Sequence, residues 1–354
     1  MRLDERCPGE ARHRAVPLMD EAHLPSTDRS GSVPSQSGFP LRRPFLAAVL
    51  AVALLPGCGG GGSSPASISA TPQPTPRPQT VLTIRSGEEE DPVAGAVVVV
   101  SGSRLKTDAT GHVTLPGSTR TGESLDILAP GFFDRLTTVP PSSSTVGLWP
   151  LRSPTGLDES FTERLVYTAT EDGAPAGKEP LVRPRSPVYL VPSPDLKDDA
   201  RAMEELRYAA ARVREATGGQ LPFSVTTSPP SQGIRFDVAL DPDDPYCKGG
   251  FLAFCRRSTR GGAVTGGQIV FCRESSLYTL TMTHEVGHAF GLEHSIDQRD
   301  MMGVPYTRLR SRDFTPREQL AMRLMLERPP GNRYPDTDRG PAPAALRSET
   351  ILCR

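Results

Sequence analysis

Histidine is scarce in this chain, net charge is almost absent, and the apolar run near its start is short. Only 6 histidines occur in 354 residues, so any cluster of them is informative. A formal net charge of -1 provides no global field toward a polyanion, and no nucleic-acid partner is expected. The apolar run at 45–55 covers about 11 residues, too few to span a bilayer as a helix. The cysteines Cys247, Cys255, Cys272 and Cys353 lack CxxC spacing, which argues against a second metal site built from them. Proline (37) and glycine (33) are plentiful instead, about a fifth of the chain. Much of that excess lies near the start and points to an unstructured segment there.

Arg42 and Arg43 precede the apolar run, and Leu55-Pro56-Gly57-Cys58 follows it. A basic region, a short apolar stretch and a small residue before a cut describe an export signal. The tetrapeptide resembles the bacterial lipobox, which implies lipidation of Cys58 and membrane attachment through it. Gly59 stands where aspartate would signal inner-membrane retention, so the resemblance implies the outer membrane or cell surface. An ordinary signal peptide with a bystander Cys58 and a secreted product is the alternative. Residues 1–57 are read as leader and signal, with translation starting at Met1 or further on, for instance at Met19. Residues 58–80, rich in Gly, Ser, Pro and Thr, read as a tether.

Residues 81–148 alternate short β-branched or apolar runs with Gly, Pro and Asp turns, the pattern of a β-sandwich. Thr107-Asp108-Ala109-Thr110-Gly111 and Ala129-Pro130-Gly131-Phe132 resemble turns of carboxypeptidase regulatory-like domains. His112 stands alone beside a turn and reads as a surface residue. This part is expected to be a spacer or docking module.

Residues 158–335 read as an α+β domain. Strands are expected at 187–191, 234–240 and 266–272. A helix is expected over 198–217, where Met203, Leu206, Ala210 and Val213 recur at spacings of three and four and Gly218-Gly219 ends the run. A second helix over 276–291 carries His284-Glu285-Val286-Gly287-His288, and Gly291-Leu292-Glu293-His294 follows. Histidines four apart on a helix project from one face and can reach one Zn²⁺. Glu285 beside the first of them can reach a water at the metal. Gly291 permits a sharp helix end, so His294 can return as third ligand. Three protein ligands leave a fourth position open, as catalytic rather than structural zinc requires.

This string is similar to that of the metzincin metalloproteases, and in detail to the matrixins. The resemblance implies a twisted mixed sheet, an active-site helix and a later helix, with His284, His288 and His294 on one Zn²⁺ and Glu285 as general base. It implies that Met302, eight residues after His294, lies beneath the metal site as the Met-turn, and that Tyr306 stands near the specificity-pocket wall. It also implies that the strand around 266–271 is the sheet edge that pairs with an extended protein or peptide substrate. Val304 replaces the matrixin proline after the turn. With no histidine between His112 and His284, a second zinc is not expected, and neither Cys7 nor Cys58 has the Pro-Arg-Cys-Gly context of a propeptide thiol switch. Asp241, Asp243 and Asp244 could bind Ca²⁺, but an acidic loop is the plainer reading. Thr315-Pro316-Arg317-Glu318 is a capping box that starts a further helix.

In an exported protein Cys247, Cys255, Cys272 and Cys353 allow two disulfides in three connectivities. Cys247–Cys255 with Cys272–Cys353 is the favoured pairing. Residues 336–354 are read as a C-terminal tail. Two functions compete: a zinc endopeptidase acting on extracytoplasmic proteins or peptides, and a non-catalytic surface lipoprotein whose metzincin-like domain binds a partner.

Overall fold

Alternation and turn residues build the first folded part of the chain. The computed structural model describes residues 79–171, 174–278, 280–304, 312–338 and 346–353. Seven strands come first: β1 (Val81–Ser86), β2 (Val97–Val100), β3 (Ser103–Lys106), β4 (His112–Thr114), β5 (Ser124–Leu128), β6 (Arg135–Thr138) and β7 (Ser144–Leu148). They form two sheets, β4-β1-β7 and β3-β2-β5-β6. Leu82, Ile84, Val98, Val100, Leu125 and Ile127 alternate inward and fill the space between the sheets. The turn before β4 is tied by Asp108 Oδ1, which accepts the N–H groups of Thr110 and His112 at 2.8 and 2.9 Å. The ring of exposed His112 lies 2.7 Å from Thr110 Oγ1 of the same turn.

The remaining elements are α1 (Glu159–Tyr167), β8 (Thr168–Glu171), β9 (Ala174–Lys178), β10 (Val188–Pro192), α2 (Pro194–Lys197), α3 (Ala200–Ala216), β11 (Phe223–Val225), β12 (Ile234–Leu240), α4 (Pro245–Lys248), β13 (Ala253–Arg260), β14 (Ala263–Phe271), a 3₁₀ turn (Glu274–Tyr278), α5 (Leu280–Phe290), α6 (Pro316–Leu326) and β15 (Arg347–Cys353). Helix α3 starts at Asp199, whose carboxylate accepts the N–H groups of Arg201 and Ala202 at 3.0 Å. It buries Ala202, Met203, Leu206, Ala209, Ala210 and Val213 along one side. It ends before Gly218 and Gly219, which adopt the left-handed φ of 62° and 74°.

The main sheet has the order β11-β10-β12-β14-β13-β15. The first four strands are parallel, and β13 pairs antiparallel with β14 and with β15. This mixed sheet with α3, α5 and α6 is the architecture the resemblance implied. Two expectations fail. The strand containing 266–271 is not an edge, because β14 lies between β12 and β13. A Gly261-Gly262 hairpin, with φ of 56° and 80°, folds an additional strand onto its open side. Residues 336–354 are not simply a tail either, since 347–353 form β15 at the end of the sheet.

The two faces of this sheet hold separate cores. Ala253, Cys255, Ile269 and Phe271 join the large core that includes α3, α5 and α6. Phe251, Phe254, Val270, Cys272 and Leu352 form a small cluster apart from it. That partition corrects the favoured disulfide pairing: Cys247 bonds to Cys272, and neither Cys255 nor Cys353 is disulfide-bonded. Cys247 and Cys272 share the small cluster, whereas strand alternation turns Cys255 toward the helices. Among the described residues no helix is long and apolar enough to cross a membrane.

Candidate metal centre

Helix α5 is almost wholly buried, so its polar side chains must be satisfied by one another or by something they hold. His284 and His288 lie one turn apart on it. Gly291 then takes a φ of 126° and packs against the Val182 carbonyl, where any Cβ would clash. That approach ends the helix and brings His294 back beside the other two. His284, His288 and His294 are 0, 0 and 2 % exposed. His288 Nε2 lies 3.0 Å from His284 Nε2 and 3.2 Å from His294 Nε2.

The outer nitrogens decide what the inner ones carry. His284 Nδ1 is 2.8 Å from the Met301 carbonyl oxygen, and His288 Nδ1 is 2.7 Å from that of Leu292. A carbonyl oxygen only accepts, so both Nδ1 atoms carry the proton and donate it. In the neutral rings each Nε2 then presents a lone pair, and the two lone pairs face each other at 3.0 Å with no proton between them. Protonating a ring is opposed here, because burial and the neighbouring His284 and His294 push the His288 pKa well below its ordinary value. A cation between the nitrogens resolves the conflict. Tetrahedral zinc with Zn–N bonds of ~2.05 Å would space its nitrogens by about 3.3 Å. The observed spacings fit, and carbonyl partners for Nδ1 are the usual outer support of zinc-bound histidine.

Glu285 is fully buried next to the first histidine, and burial pushes its pKa up to about 8. The nearby Cys353 thiol works in the opposite direction. A bound dication would also pull it down.

Met302 lies directly under α5. A Cβ on Gly287 would sit 2.5 Å from Met302 Sδ and 3.2 Å from Phe314, so glycine is what allows this approach. The Ser295 N–H donates to the Met302 carbonyl at 2.7 Å, which fastens the Met-turn to the residue after His294. Glu318 of the capping box accepts the N–H groups of Met301 and Met302 at 3.1 and 2.8 Å. Buried Arg257 of β13 pairs with Glu293 and donates to the His288 carbonyl at 3.1 Å, tying the sheet to the turn between the ligands.

One residue here escaped the sequence reading. Cys353, at the end of β15, places Sγ 3.6 Å from both His288 Nε2 and His294 Nε2. The four residues form the one convergent group of three or more His, Cys, Asp or Glu ligands among the described residues. The apolar, β-prone run Ile351-Leu352-Cys353 was a signal for a strand, but no local pattern says which strand it would join. Asp241, Asp243 and Asp244 serve their own loop instead. Asp241 accepts the N–H of Asp243 at 3.1 Å, Asp244 caps α4 through the N–H of Tyr246 at 2.9 Å, and Asp243 pairs with Lys248. Cys58 and Tyr306 lie outside the described residues.

A buried three-histidine site on a helix that ends in a glycine turn, over a methionine floor and beside a mixed sheet, is the arrangement of a metzincin zinc metallopeptidase. The family model described as Matrixin matches residues 211–319, from the second half of α3 into the first turn of α6, and this part of the chain is matrixin-like. No curated protein matches the chain.

Proposed function

We propose that the protein is a zinc-dependent endopeptidase that hydrolyses peptide bonds in extracytoplasmic proteins or peptides. The observation that supports it most is the pair of Nδ1-donating histidines whose Nε2 lone pairs converge with His294 beside a buried Glu285. When bound by His284, His288 and His294, zinc supplies Lewis acidity that polarises a carbonyl and acidifies water. Glu285 is the general base: it takes the proton of the attacking water and passes it to the departing amine. Its buried site makes it a strong base for a carboxylate, which suits both transfers at neutral pH. Met302 holds the histidines from below, and Tyr306 shapes the pocket for the substrate side chain. Cys58 anchors the exported chain to the outer membrane or cell surface through lipid.

The test replaces Glu285 with Gln and follows cleavage of a peptide library, with a chelator control. Because the Cys353 thiol lies in the site, each protein is assayed with and without Cys353→Ala. Glu285→Gln should keep about one zinc per chain while kcat falls about 10²–10⁴-fold. Equal rates in the two forms, or cleavage that survives chelation, would reject this function.

A further inference from the structure

We propose that β15 is a built-in occluding strand whose Cys353 thiolate completes the zinc coordination, so that this fold is the latent form of the peptidase. The inference rests on the zinc reading above and adds how the site is regulated. It uses a segment beyond residue 319, where the matrixin match ends.

Geometry carries the ligand assignment. With a Zn–S bond of ~2.3 Å and a Zn–N bond of ~2.05 Å, a tetrahedral site spaces sulfur and nitrogen by about 3.6 Å. Cys353 Sγ lies 3.6 Å from two of the three Nε2 atoms. A site of three histidines and one cysteine is closed, whereas catalysis needs the fourth position open. The thiol loses its proton to solvent on binding, and no other bond is made or broken.

The strand carries the occlusion. Without β15, β13 would be the free antiparallel edge nearest the metal site. An extended peptide would bind such an edge through its main chain. β15 takes that place over seven residue pairs, from Ala253↔Cys353 to Thr259↔Arg347. The register matters as much as the pairing. Leu352 packs into the small cluster on one face, and Cys353 turns to the histidines on the other. A slip of one residue would point the thiol away from the metal.

Arg257 locks this register. Its guanidinium is fully buried, and Nε donates to Glu349 Oε1 of β15 at 2.6 Å. The same group holds Glu293 and the His288 carbonyl. The occluding strand and the ligand turn therefore share one anchor. The Cys247–Cys272 disulfide lies in the opposite cluster and leaves Cys353 as a thiol for the metal.

Cobalt substitution in the full chain tests the assignment with a readout other than activity. The parent and Cys255→Ala should bind one Co²⁺ per chain and show a thiolate-to-cobalt charge-transfer band. Cys353→Ala should still bind one Co²⁺, lose the band, and cleave the peptide library about tenfold faster or more, as expected when one blocking ligand is removed. Alkylation of Cys353 in the parent, located by peptide mass mapping, should slow about tenfold or more when metal is bound, because coordination withdraws the nucleophilic thiolate. One bound Co²⁺ without the band, and with Cys353 alkylated equally fast in both states, overturns this proposal and leaves the peptidase reading intact. Absence of bound metal from every variant removes the peptidase reading and this proposal together.

Discussion

At Gly287 one hydrogen in place of a methyl group sets how close the Met-turn comes to the ligand helix. Alanine is favoured over glycine inside a helix by about 1 kcal/mol. Here its Cβ would meet Met302 Sδ at 2.5 Å and Phe314 at 3.2 Å, and both residues are buried. Overpacking of that kind costs about 1–3 kcal/mol and should outweigh the helix preference. Gly287→Ala is therefore expected to lose about 1 kcal/mol in urea unfolding. Shortening the floor should reverse the sign, so that Gly287→Ala stabilises a Met302→Ala background by up to about 1 kcal/mol. If the two backgrounds respond alike, Met302 does not limit the space. The residues of this centre differ in how far the sequence reveals them. His284 and His288 are legible because helix periodicity alone puts them on one face. His294 needs only the additional inference of a turn at Gly291. Cys353 is 59 positions from His294 and reaches it through a strand register, which no local spacing encodes.

Among the elements, α6 and the Met-turn depend on each other through Glu318. Its carboxyl accepts N–H groups from Met301, Met302 and Thr315 at 3.1, 2.8 and 2.7 Å. It is fully buried, and burial together with the Asp300 charge pushes its pKa up to about 7 from an ordinary 4.5. The three N–H donors act the other way but do not prevail. A carboxyl whose pKa rises on folding binds more protons in the native state between those two values. Its contribution to stability is complete below about 4.5 and is lost as pH rises through about 7. Urea midpoints of the metal-free chain should thus fall between pH 5 and pH 7.5. Glu318→Gln should flatten that slope. It should also cost about 1–3 kcal/mol at pH 5, because an amide NH₂ would face donors that need an acceptor. An unchanged slope in Glu318→Gln assigns the titration to another group. The capping box itself was readable from Thr315-Pro316-Arg317-Glu318, since its rule is local. The same is true of α3 and β12, whose periodicities are uninterrupted. β13 was missed although Gly261-Gly262 is a hairpin signal, because its partly charged run, Arg256-Arg257-Ser258-Thr259-Arg260, masks the apolar alternation. Arg257 is nonetheless buried, compensated by Glu293 and Glu349, and such long-range pairing is invisible in a single segment.

At the scale of the whole described unit, the β-sandwich is fastened to the metallopeptidase domain rather than strung beside it. Both lie within the unit Pro72–Arg354. Fully buried Asp336 accepts from Arg135 of β6 at 2.5 Å and from Arg328 after α6 at 2.8 and 2.9 Å. Arg328 also donates to the Gly147 carbonyl of β7 at 3.0 Å. The main chain joins in, with Leu136 N–H on the Asp336 carbonyl at 3.0 Å and Asp338 N–H on the Leu136 carbonyl at 2.8 Å. Phe133 crosses the same junction and packs edge-on against Trp149 and Tyr334, with ring centres 6.4 and 6.0 Å away. A carboxylate between two buried guanidinium groups costs desolvation, so the cluster says little about net stability by itself. Removing its central charge is another matter, because the buried Arg135 then keeps only Asp338, at 2.7 Å, and the buried Arg328 only Glu327, at 3.5 Å, as charge partners. Asp336→Asn should cost about 3–5 kcal/mol. The loss should fall on the junction, since the sandwich and the large sheet each keep a core of their own. Calorimetry of the parent should therefore show one cooperative transition over this unit, and Asp336→Asn should separate it into two. Two transitions already present in the parent would mean that the domains unfold independently and that the arginine cluster only orients them.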